Sequence, residues 1–178
     1  MKIISYIFFF FAVLGTGNTF AQDISGAELQ VNGLTCSMCS RATETAIKSL
    51  GFIDTIKPDL NRNVFVLTFK PGQAVSLDAI RDKVQEAGFS IGDLSATINF
   101  KQTAVDRNGM ARLGNHVFRL LNVKDRVLDG PFTARVLDRD FISDRAFKSK
   151  AAELKSADYQ SGSGQYEGKQ TRIIHLSI

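Results

Sequence analysis

Cys36 and Cys39 are the only cysteines among 178 residues, and they stand two residues apart in Thr35-Cys36-Ser37-Met38-Cys39. That gap brings two thiolates within reach of one metal ion. It also permits a redox disulfide, or a plain structural bridge in an extracytoplasmic protein. Two soft thiolates on a compact loop suit Cu(I) and, less selectively, Zn(II) or Hg(II). With only two protein ligands such a site stays open for exchange, whereas a structural zinc site is closed by four.

Other residues that could do chemistry read more plainly. Met38 lies between the two cysteines and is expected to point outward. His116 and His175 are far apart, and neither has a partner at metal spacing, so both read as strand residues. His116 shares the parity of Phe118 and Leu120, which predicts partial burial. Gly162-Ser163-Gly164 lacks the outer glycines of a nucleophile elbow. Asp138-Arg139-Asp140 and Asp144-Arg145 alternate in sign, the usual mark of a solvated surface. No carboxylate pair stands out for acid–base work, and the chain reads as a binding protein, not an enzyme.

The elements that must position the cysteines come next. Glu28–Val31 is a short strand ending at Asn32-Gly33. From Cys39 to Leu50 apolar residues recur at helical spacing, and Gly51 closes the element. Residues 53–57 and 64–69 are strands about the turn-prone 58–63. Ser76 is a good N-cap for a second helix whose Leu77, Ile80, Val84 and Ala87 form one stripe. Gly88 ends it, and Phe89 onward forms a fourth strand. The predicted order is strand, helix, strand, strand, helix, strand: an α+β, ferredoxin-like βαββαβ domain over residues 22–98. The cysteines fall between its first strand and first helix, with Cys39 near the helix start. There, open N–H groups and the helix dipole favour a thiolate.

Gly33-Leu34-Thr35-Cys36-Ser37-Met38-Cys39, followed by Glu44, Ala46-Ile47 and Leu50 and later by Ala87-Gly88-Phe89, resembles the heavy-metal-associated domain over residues 26–98. That family includes copper chaperones, metal-binding domains of copper-transporting ATPases and the periplasmic mercury-binding protein. The resemblance implies that Cys36 and Cys39 bind a soft metal ion and pass it to a protein partner by stepwise thiolate exchange. It also implies that Leu34, where the family usually has Met, packs beneath the loop, and that Phe89 sits near the site. A thiol–disulfide oxidoreductase or redox sensor using the same pair is the alternative. A thioredoxin-like motif usually has Trp beside its first cysteine, and this chain has no Trp.

Residues 99–178 carry no legible family motif. Strands are expected near 97–105, 116–121, 132–137 and 171–178. One helix capped by Ser143 is expected, and Gln160–Gln165 reads by composition as a flexible loop. The result is a small β-rich, OB-like domain of unknown role. Residues 100–178 hold 14 Lys and Arg against 9 Asp and Glu, whereas residues 22–99 hold 7 against 9. The basic half suits an acidic partner or an anionic envelope surface rather than nucleic acid. Residues 1–21 read as a signal peptide: Met1-Lys2, an apolar run from Ile3 to Leu14, then Thr19-Phe20-Ala21 with cleavage before Gln22. The expectation is an exported or periplasmic protein that binds and transfers Cu(I), with Hg(II) or Zn(II) as alternative cargo.

Overall fold

Period-two alternation in the first half sorts apolar side chains onto one side of the sheet, and the two helices cover that side. The computed structural model describes residues 23–59 and 61–178. The expected signal peptide, 1–21, lies outside the described residues. β1 (Ile24–Asn32), β2 (Ile53–Asp59), β3 (Val64–Phe69) and β4 (Ser90–Val105) pair antiparallel in the order β2-β3-β1-β4. Leu29 and Val31, Phe65, Leu67 and Phe69, and Leu94, Ala96 and Ile98 are buried. Upon them lie Thr43 and Ile47 of α1 (Ser37–Lys48) and Leu77, Ile80 and Val84 of α2 (Leu77–Glu86). Burying one such aliphatic side chain contributes about 1.5–3 kcal/mol. Ser76 caps α2, accepting from the Ala79 N–H at 3.1 Å. This is the expected ferredoxin-like βαββαβ arrangement.

The boundary expected at 98/99 falls inside β4, whose 16 residues serve both halves. Leu94, Ala96, Ile98 and Phe100 face inward, and after a bulge the inward residues become Thr103 and Val105. Gln102 is the residue that makes the step. Its φ is +46°, the register with the partner strand shifts between Phe100 and Thr103, and Asp129 accepts from both the Gln102 N–H and its side-chain amide. A bulge adds one residue to one strand only, so the inward face is kept while the sequence parity changes.

β7 (Arg126–Val136) pairs along β4 from Ser95 to Val105 and so covers the edge that the first half alone would leave open. Beyond it the order runs β7-β9-β6-β5, where β5 is Met110–Leu113, β6 His116–Leu120 and β9 Lys169–Ser177, with β6 and β9 parallel. The second half thus holds more than the four strands and one helix expected. β5 follows β4 through a turn in which Asp106 both accepts from and donates to Met110.

α3 (Asp144–Leu154) is capped by Ser143 as anticipated, and a further short helix, α4 (Ala157–Ser161), precedes β8 (Ser163–Tyr166). The predicted flexible loop at 160–165 is therefore corrected. Gly162, at φ +70°, ends α4, and β8 pairs with β9 in a hairpin turning at Glu167-Gly168, both at positive φ. The glycines there supply a cap and a tight packing position instead of slack.

β1 and β4 are antiparallel, and Asn32 pairs with Ser90. The cysteine loop that follows Asn32 therefore lies by the start of β4, while β7 and the second half build out along the rest of that strand.

Candidate metal centre

Cys36 is the N-cap of α1, with extended backbone (φ −145°, ψ 158°). Its sulfur takes the role usually filled by Ser, Thr, Asp or Asn, accepting the Cys39 N–H at 3.2 Å. The helix thus begins at Ser37, two residues earlier than the sequence pattern indicated. Cys39 stands in its first turn, where the Cys39 carbonyl accepts from the buried Thr43 hydroxyl at 3.1 Å. Cys36 is exposed and Cys39 half-buried.

The two thiols are inequivalent. Cys36 is lowered from the ordinary thiol value, first by a hydrogen bond from the Cys39 side chain and then by backbone N–H groups of Cys39 and Met38. Cys39 is raised, first because its proton is engaged by Cys36, then by burial and by the neighbouring negative charge. The expectation that the helix start favours a thiolate at Cys39 is corrected, because the open N–H groups point at the capping residue, Cys36. Such a pair presents one ready nucleophile or ligand, with the second released from its proton when a cation arrives.

Around the loop, Leu34 and Phe89 are partly buried against the core. Gly33 adopts φ +88°, and a Cβ placed there would lie 3.5 Å from the Phe89 ring, so Phe89 braces the point where the chain leaves β1. Met38 is 80% exposed. It opens onto a groove of about 640 Å³ between α1 and α2, whose walls include Ala42, Ala46, Lys83 and Ala87.

The histidines stay apart from this site. His116 stacks on Phe118 with ring centroids 5.6 Å apart, and burial lowers its pKa from the ordinary value. His175 is wholly buried against Asp138. Asp138 is only 2% exposed, which corrects its reading as part of a solvated run. Among the described residues no group of three or more His, Cys, Asp or Glu side chains converges to hold a metal ion.

The family model of the heavy-metal-associated domain matches residues 28–90, a span that holds both cysteines and Phe89. This stretch is a heavy-metal-associated domain. Over 91 residues the chain is 37% identical to a probable copper-transporting ATPase of Arabidopsis thaliana. That alignment takes in 49% of this chain and spans 9% of the length of that relative. A putative copper-ion-binding protein from Bacillus anthracis is 25% identical, with a TM-score of 0.35, covering 38% of this chain and 94% of its own. The yeast copper transporter domain Ccc2a is 26% identical, with a TM-score of 0.33, covering 36% and 88%. In the present chain the heavy-metal-associated domain shares its last strand, β4, with the elements that follow.

Proposed function

We propose that this is an exported protein that binds one Cu(I) through Cys36 and Cys39 and hands it to a partner's thiolates. The observation that carries the reading is an exposed, helix-capping Cys36 with lowered pKa beside a half-buried Cys39 that keeps its proton. Cys36 would make first contact with the ion. Cys39 would lose its proton as it ligates, so affinity rises with pH. A partner thiolate approaching from the exposed side would then share and take the cargo. The lining of the groove beside Met38 comes from α1, α2 and the residues that cap their C-termini, Ser49 and Ala87, so no residue of the second half walls this approach.

The copper-related relatives favour Cu(I) over Hg(II) or Zn(II) as cargo. The sequence of residues 1–21 supports export. In the second half, the strand order β4-β7-β9-β6-β5 with β6 parallel to β9, and the helices before the last long strand, support the reading as an OB-like barrel. Its basic excess suits an acidic partner or an anionic envelope surface.

Reduced protein should take up about one Cu(I) in competition with a strong chelator, and Cys36→Ser/Cys39→Ser should abolish uptake. Undiminished affinity in the double variant would sink the proposal. Titration with Zn(II) and Hg(II) in the same assay ranks the cargoes.

The lowered Cys36 also favours a second reading, thiol–disulfide exchange initiated by that residue. Catalysed reduction of a model disulfide at a rate abolished by Cys36→Ser would support it.

A further inference from the structure

Remote from the thiol pair, an ionic cluster is built round a ring that solvent does not reach. His175, on β9, is 0% exposed. Both of its nitrogens face carboxylates: Nδ1 lies 2.6 Å from Asp138 Oδ1, and Nε2 lies 3.4 Å from Asp158 Oδ2. The His175 backbone N–H also points at Asp138, 3.4 and 3.3 Å from its two oxygens. The Tyr159 ring meets the imidazole edge-on at 5.0 Å, and its hydroxyl is committed to the Leu137 carbonyl at 2.5 Å.

A neutral imidazole has one donor and one acceptor nitrogen. With carboxylates at both ends, the acceptor lone pair would oppose a carboxylate oxygen in a place where no water relieves it. Asp158 does not resolve this by taking a proton. Burial pushes its pKa up, but Ser156, Arg119 and His175 together bring it down to about 2. Asp138 is likewise an acceptor on two sides, since Arg172 Nη2 reaches its Oδ2 at 2.9 Å.

The charge count points the same way. Arg119, on β6, faces Asp158. Arg172, on β9, is shared between Asp138 and Asp78 of α2, and Arg81 of α2 is shared between Asp78 and Asp82. Three guanidinium groups thus meet four carboxylates, and a cationic ring evens the cluster.

We propose that His175 is a buried imidazolium, donating from Nδ1 to Asp138 and from Nε2 to Asp158. It would act as an ionic clasp that holds β9 to α4 and to the segment following β7. Through Arg172 the clasp continues to Asp78 and so to α2 of the heavy-metal-associated domain. Losing the second ring proton turns one attraction into a repulsion. The inference does not depend on the metal reading.

Ring-nitrogen NMR on the full chain labelled with 15N-histidine tests it. The chain has only two histidines, and His116, lowered by burial, serves as an internal neutral reference. At pH 7.5, His175 should show two protonated nitrogens and His116 one. A bare nitrogen on His175 at that pH would overturn the proposal. In Asp158→Asn, Nε2 of His175 should become bare while Nδ1 stays protonated, and a ring still doubly protonated would refute the part assigned to Asp158. Thermal denaturation at pH 7.5 supplies a second readout: His175→Gln, which carries no charge between the two carboxylates, should melt below the wild type, and equal stability would overturn the clasp.

Discussion

The backbone N–H of Cys39 donates to the sulfur of Cys36 at 3.2 Å, so the first cysteine caps the helix that carries the second. Helix geometry and thiol chemistry are thereby one arrangement. Iodoacetamide should modify Cys36 before Cys39 and at lower pH, read by peptide mass mapping. In Cys39→Ala, which removes the thiol donor, the pH midpoint for Cys36 alkylation should move up. An unmoved midpoint would mean that the backbone alone sets its reactivity.

Phe89 braces Gly33 at the exit of β1. Phe89→Ala should cost about 2 kcal/mol, less than the roughly 3–5 kcal/mol of a fully buried aromatic because Phe89 is only half-buried. It should also loosen the thiol loop, so that Cu(I) passes to a chelator faster than from the wild type. Equilibrium denaturation and stopped-flow transfer separate the two effects.

Arg172 joins Asp78 on α2 to Asp138 in the interior. Arg172→Ala leaves a buried carboxylate short of a partner and should destabilise by about 3 kcal/mol. Arg172→Ala/Asp138→Asn should recover part of that loss. A double variant no more stable than the single in urea melts would contradict the pairing.

Asp158 is brought down to about 2, and Asp78 is also lowered: burial opposes the shift, and Arg172 and Arg81 outweigh it. Folded-state values below the unfolded ones mean that these carboxylates stabilise above the ordinary carboxylate range. That contribution is lost as pH falls from about 4 toward 2. Acid-unfolding curves of Asp158→Asn should be flatter over this window than those of the wild type.

Much of the first half was legible because its signals are local. Ser76 and Ser143 announce their helices by capping, and the stripe of Leu77, Ile80 and Val84 follows the helical period. The cysteine pair was legible for the same reason, being two residues on one turn. What escaped depends on residues distant in the chain. Asp138 sits in a run of alternating charge, and nothing near it reveals that Arg172 and His175, more than thirty positions later, will enclose it. β8 escaped because Gly162 and Gly164 have the composition of a linker. Here one glycine caps α4, and the other, where a Cβ would come within 2.9 Å of Ile173, allows two strands to approach. The start of α1 is hidden in the sequence because Cys36 is not a residue type that usually announces a cap.

Gln102 keeps β4 in step with two interiors. Were β4 to run straight through Gln102 without its bulge, Thr103 and Val105 would turn out to solvent and their neighbours inward, although no side chain had been altered. At this point in the molecule, the turn of one residue's backbone decides what is inside as firmly as side-chain chemistry does.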